Sequence, residues 1–243
     1  RAVVHGAARP ERIRWWLGDG ASAEGAEITH SYAEEYDYAI RVQVVDTDGR
    51  AHYLRREAAA ALARMTGDFR KQHPKIKLYV RSSTRTWQDQ KWIWENKWTG
   101  RTLVEGEKLN ETIKDPRLRA LKILEYSSMP GTSRHHWGTD FDINSLVNSY
   151  YEAGEGKVIL DWLEENAGRY GFSRPYTAGR KAGYNEEKWH WSYTPLSHFY
   201  TRRWIAYYGK NPKLMVRDDT FMGAEVSVML APVYVQSVDG SCR

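Results

Sequence analysis

The chain has a single cysteine, Cys242, among its 243 residues. One thiol excludes an internal disulfide, and its place beside the C-terminus, far from any patterned segment, argues against thiol catalysis. No stretch approaches the roughly 18 consecutive apolar residues that a membrane-spanning helix needs. There is no internal repeat, and no linker long enough to demand two separate bodies. Basic residues exceed acidic ones by 36 to 31, a net charge of +5. They do not gather in long Lys/Arg blocks and no nucleic-acid motif accompanies them, so the surplus suits anionic partners without pointing to a nucleic acid. What the chain does have is 41% hydrophobic and 28% charged residues, the balance of a soluble globular protein. Its eleven tryptophans read first as core and rim packing, with stacking on sugars as the other use of such residues.

The densest chemistry lies in Ser127–Asn144, where a Pro130-Gly131 turn leads into His135, His136, Asp140 and Asp142. From Gly138 the pattern alternates, so Thr139, Phe141 and Ile143 face one side of a strand and Asp140, Asp142 and Asn144 the other. Further along, Trp189, Trp191 and Tyr193 alternate with His190 and Ser192, again as in a strand. His nitrogens and Asp oxygens offered from a polar strand face suit one divalent metal better than they suit a core. His135, Asp142 and His190 would supply three ligands, leaving a position for water, and Glu187 would take that water's proton. Glu187 and His190 are three apart and would face opposite ways in a regular strand. Glu187 is therefore expected in the turn before it, or on a bulge.

Ser133-x-His135-x-x-Gly138-x-x-x-Asp142, followed by Glu187-x-x-His190-Trp191, resembles the signature of the zinc-dependent D-Ala-D-Ala carboxypeptidases and dipeptidases, the VanY/LdcB-like peptidoglycan peptidases. Upstream, Ser82-Ser83-Thr84-Arg85-Thr86-Trp87-Gln88-Asp89-Gln90 is similar to that family's Ser-Gly-Tyr-Arg-Ser-x-x-x-Gln element, with Ser83-Thr84 in place of Gly-Tyr. The resemblance selects His135 over the adjacent His136 as ligand, and leaves Asp140 to orient a ligand or a loop. It implies Zn2+ as cofactor, Glu187 as base and proton donor, and Arg85 as the group that steadies the oxyanion or holds a substrate carboxylate. Ser133 and Gln90 are implied as substrate contacts, with Trp189 and Trp191 walling the site.

The implied activity is hydrolysis of D-amino-acid-containing peptide bonds in peptidoglycan stem peptides, as a DD- or LD-carboxypeptidase. An endopeptidase or lytic effector with the same site is the alternative within the class. A non-catalytic cell-wall or protein binding module is the alternative outside it. The expected setting is the periplasm, the cell envelope or the exterior, since the chain opens at Arg1 without an apolar signal region, as a processed or trimmed N-terminus would.

The fold class expected is α+β, a Hedgehog/DD-peptidase-like central antiparallel sheet flanked by helices, because strands and helices mix without regular βαβ alternation. Residues 1–50 are expected as an N-terminal elaboration packed on a zinc peptidase domain over 51–243, either it or the tail being able to dock a protein partner. Within 1–50, residues 38–45 read as a strand that returns through 50–54, and the Ala/Gly/Ser/Glu stretch after Gly20 reads as loop. Helices are expected over 55–72, after Thr86, after Asp115-Pro116, over 157–170 and from Pro195 to about Tyr208. Leu118, Leu121 and Leu124 are expected inward, as are Leu196, Phe199 and Trp204. The tail segments Glu225–Leu230 and Val233–Val235 read as strands or extended packing.

Overall fold

The computed structural model describes residues 51–211 and 220–243, with the short segments 2–3, 12–16, 21–24, 27–28, 31 and 41–45 before them. The chain forms two compact units. One holds Arg1–Thr84, Gly138–Ser173 and Lys188–Thr194; the other holds Arg85–Trp137, Arg174–Glu187 and Pro195–Arg243.

In the first unit, β1 (Ala2–Val3) pairs with β4 (Glu27–Ile28), and β2 (Arg12–Trp16), β3 (Ser22–Glu24), β5 (Arg41–Val45) and β6 (Ala51–Arg55) form an antiparallel sheet in the order β3-β2-β5-β6. The expected strand is therefore present over Arg41–Val45 and its return over Ala51–Arg55, while residues 38–40 and 46–50 lie outside the described residues. The stretch read as loop contains β3 and β4. Its Ala, Gly, Ser and Glu residues carry little strand propensity, and the pairing rests on backbone hydrogen bonds to β2 and β1. The expected boundary at residue 50 falls between two paired strands, β5 and β6.

Helix α1 (Arg56–Gln72) follows directly. Ala58, Ala61, Leu62, Met65 and Phe69 form its buried stripe, the alanines letting the helix approach closely and Phe69 meeting Trp162 edge-to-face at 5.3 Å. Strand β7 (Val80–Ser82) then opens a second antiparallel sheet, completed by β8 (Asp140–Ile143), β9 (Phe172–Ser173) and β10 (His190–Tyr193) in the order β7-β8-β10-β9. Helix α5 (Gly154–Asn166) buries Ile159, Trp162 and Leu163, and a 3-10 turn carries the chain on to Gly171. Gly171 has φ 84°, a left-handed conformation that ends the helical run and that glycine adopts without strain.

The second unit is helical: α2 (Trp87–Trp98), α3 (Leu109–Thr112), α4 (Pro116–Ile123), α6 (Thr194–Lys210, whose first residue belongs to the other unit), α7 (Ala224–Ser227) and α8 (Ala231–Gln236). Thr86 and Asp89 close a reciprocal capping box at the start of α2, and Asp115 accepts from the N–H groups of Arg117 and Leu118 at the start of α4. Trp94 anchors the core, with its ring edge-on to Phe221 and its N–H donating to Met222 O at 2.7 Å.

Three expectations fail here. Leu118 is 56% exposed, because the inward side of α4 is Ala120, Ile123 and Leu124. Phe199 is 47% exposed, because α6 turns a small, polar face inward: Ser197 and Thr201 are buried, with Trp204 beside them. The tail is helical rather than extended. Ala224, Val228, Ala231, Val235 and Val238 are all buried at spacings of four and three, a helical stripe that short Val-rich runs also mimic as strand, and Pro232 in the first turn of α8 suits a helix start.

Candidate metal and catalytic site

Antiparallel pairing of β8 with β10 sets His190 directly opposite Asp142. Asp140 lies two residues before Asp142 and so shares its face. His190 is thereby held at both ring nitrogens, Nδ1 3.0 Å from Asp142 Oδ1 and Nε2 3.1 Å from Asp140 Oδ1. Burial opposes charge on this ring, but the hydrogen bonds to Asp140 and Asp142 outweigh it and raise the pKa to about 9. Thr139 donates to the other oxygen of Asp140 at 2.5 Å, which fixes that carboxylate in turn.

His135 sits on the 3-10 turn Arg134–Trp137. The turn is anchored by Arg134, whose Nη1 donates to Thr201 Oγ1 at 3.1 Å and whose guanidinium lies over the Trp137 ring. Trp204 Nε1 donates to Gly131 O at 3.0 Å, tying α6 to the loop that leads into the turn. Gly138 joins turn to strand with φ +69°, and a Cβ there would come within 3.3 Å of Arg55 and Thr84, so only glycine suits the position. Asp142 and His190 of the first unit and His135 of the second are all buried side chains. Two imidazoles and one carboxylate are the mixed N/O set that suits zinc with a position left for water.

His136 is excluded as a ligand by its own bonds. Its Nδ1–H donates to Arg85 O at 2.8 Å and its Nε2 accepts from the Gly131 N–H at 3.1 Å. Burial lowers its pKa, which keeps the ring in this neutral form.

Glu187 precedes β10 rather than lying on it, as its spacing from His190 required. Its side chain is buried, and its N–H donates to Tyr176 O at 2.9 Å. The loop before it is fastened by Arg180, which donates to the carbonyls of Thr177, Ala182, Tyr184, Asn185 and Ser237. Arg85 follows β7, and its Nη1 donates to Gln90 Oε1 at 3.0 Å. Gln90 is fully buried and its Nε2 donates to Ser128 O at 2.8 Å, so its amide holds Arg85 and the loop. Ser133 is also buried, and its carbonyl accepts from the His136 N–H. Trp189 and Trp191, expected to wall the site, are 6% and 2% exposed and belong to the apolar core of the first unit. They lie on the strand face opposite His190, and that face packs. Lys97, which no sequence motif marks, donates from its ammonium to Ser127 Oγ on the loop that leads to His135.

The family model described as VanY, D-alanyl-D-alanine carboxypeptidase, matches residues 51–196, and a PKD domain model matches residues 2–60. A D-alanyl-D-alanine carboxypeptidase of Enterococcus faecium is 37% identical over 76 residues, 30% of this chain and 24% of that protein. One of Enterococcus faecalis is 35% identical over 72 residues, 28% of this chain and 25% of that protein. The matched stretches thus span about a quarter of those relatives' length. Among solved structures, a Zn(II) complex of a mutant of the vancomycin resistance D,D-pentapeptidase VanY is similar at TM-score 0.45 and 24% identity, covering 62% of this chain and 77% of that one.

Proposed function

The chain belongs to the VanY D-alanyl-D-alanine carboxypeptidase family, and from that premise we propose that it is a zinc metallopeptidase that trims D-amino-acid-containing stem peptides of peptidoglycan. The observation that carries the reading is the buried pairing of His190 with Asp142 across two strands, on a segment that the family model covers, with His135 as the third ligand of the family pattern. Zinc held by these residues would supply Lewis acidity, bringing a water's pKa towards neutrality and polarising the scissile carbonyl.

The remaining chemistry belongs to the chain's own side chains. Glu187 takes the proton of the attacking water and passes it to the departing amine, the two halves of general base and acid catalysis. Arg85, aimed by Gln90, offers its guanidinium to the negative charge that develops on the carbonyl oxygen. Asp140 keeps Nε2 of His190 engaged, so that Nδ1 is the nitrogen directed towards Asp142. Ser133, on the loop before His135, is read as a further substrate contact. Residues 1–50 are read as an elaboration of the peptidase domain, with room there or in the tail for a protein partner. Stem peptides as substrate place the work at the cell envelope. Among the described residues no helix is long and apolar enough to cross a membrane.

Metal analysis paired with digestion of isolated muropeptides tests the reading. Wild type and Glu187→Ala should each carry one equivalent of zinc, and only wild type should release product. Loss of a single alanine by mass spectrometry identifies a carboxypeptidase, and larger fragments an endopeptidase. Wild-type protein without zinc would sink the assignment.

A further inference from the structure

Gln90, Trp94 and Lys97 stand at spacings of four and three on α2 and so form one stripe of it. Gln90 and Trp94 are fully buried, which makes this the packed side of the helix. An apolar residue is the ordinary occupant of the next place along such a stripe. A lysine stands there instead, half-buried. Its ammonium donates to Ser127 Oγ at 2.5 Å, and the next residue, Ser128, accepts from Gln90, which in turn accepts from Arg85. A connected set of bonds therefore runs from Arg85 through Gln90 and the Ser127-Ser128 pair to Lys97. Burial is the main influence that lowers the Lys97 pKa, and the charges of Glu187 and Arg85 both reach it. Of these two charges the Glu187 carboxylate acts more strongly and favours the ammonium, while the Arg85 guanidinium opposes it. One carboxylate of the chain, Glu187, is already committed to the reaction as proposed.

We propose that Lys97 binds the C-terminal carboxylate of the peptide substrate, which makes the site select peptides that end at the residue to be released over longer or amidated ones. Arg85 is then left to the carbonyl oxygen. The proposal rests on the peptidase reading above and deepens it, by naming the residue that sets exopeptidase specificity. An ammonium has three donors, of which Ser127 takes one, and a carboxylate can accept the others.

The experiment is a calorimetric titration of zinc-loaded Glu187→Gln with an N-acetylated stem peptide ending in D-alanine and with the same peptide as its C-terminal amide. The titration is then repeated with Lys97→Met and with Lys97→Arg added. The carboxylate form should bind about 10- to 150-fold more tightly than the amide, the range of one charge-assisted hydrogen bond. Lys97→Met should reduce that preference to a few-fold without changing the affinity for the amide, and Lys97→Arg should keep most of it. Thermal unfolding of each protein identifies a variant that fails to fold; if Lys97→Met does, Lys97→Gln takes its place. An undiminished preference in Lys97→Met, or equal binding of acid and amide by Glu187→Gln, overturns the Lys97 assignment alone. No binding of either peptide overturns the assignment and the stem-peptide reading together.

Discussion

Asp140 is the residue through which the proposed metal site can be tested most sharply, because it touches a proposed ligand, His190, and is not itself one of the proposed three. It is wholly buried, its Oδ1 is 3.1 Å from His190 Nε2, and its Oδ2 accepts from Thr139. A carboxylate behind a ligating imidazole fixes the tautomer and makes the ring more basic, and its loss typically weakens metal binding about 10- to 100-fold, or about 1.4–2.7 kcal/mol. Two substitutions divide that effect. Asp140→Asn keeps an oxygen for the Nε2–H but removes the charge, so it should fall near the tenfold end. Asp140→Ala removes both and leaves the buried ring nitrogen and the Thr139 hydroxyl to find other partners, so it should approach 100-fold. The His190 pKa of the metal-free chain, about 9 through its two aspartates, should fall in both variants. Competition with a chromophoric zinc chelator measures the affinity, and NMR titration of the histidines measures the pKa. Zinc affinity within twofold of wild type in both variants would refute the reasoning.

In the metal-free protein His190 is protonated below about pH 9, so zinc must displace a proton. Its affinity should rise about tenfold per pH unit up to that point and level off above it, as chelator competition across pH 6–9 would show. The raised pKa stabilises the metal-free fold below the unfolded value of about 6.5, and that contribution is lost as pH rises towards 9. Melting temperature should therefore fall with pH in the stripped protein and not in the zinc-loaded one. Glu187→Ala should retain zinc and lose roughly 100- to 10,000-fold in turnover; a near wild-type rate would mean another group is the base. Trp94→Ala removes a fully buried ring and its bond to Met222, and should cost about 3–5 kcal/mol of stability by denaturant titration.

Local periodicity carried the parts of the fold whose meaning is local. The α1 stripe of Ala58, Leu62, Met65 and Phe69 could be read off because its spacing belongs only to a helix, and the alternation around Asp142 and His190 because it belongs only to a strand. The tail was misread for the same reason in reverse. Val226-Ser227-Val228 and Val233-Tyr234-Val235 alternate over too few residues, and the helical spacing of Ala224, Val228, Ala231 and Val235 shows only across the whole run.

The site divides along the same line. The spacing of His135, Asp142, His190 and Glu187 matches a family pattern in the sequence, whereas the facing of His190 on Asp142 is a pairing register between distant strands, which no local pattern states. The two tryptophans beside His190 had their answer in the alternation itself. A strand that turns His190 to the polar side must turn Trp189 and Trp191 to the other, and in this protein that other side is core. Lys97 had no such sign. Seven residues after Gln90 it shares a stripe of α2, but a lysine on a helix is ordinarily solvated, and only the burial of Gln90 and Trp94 shows that this stripe packs. A polar residue acquires its part in the site from the face it shares, and the face is decided by contacts far away in sequence.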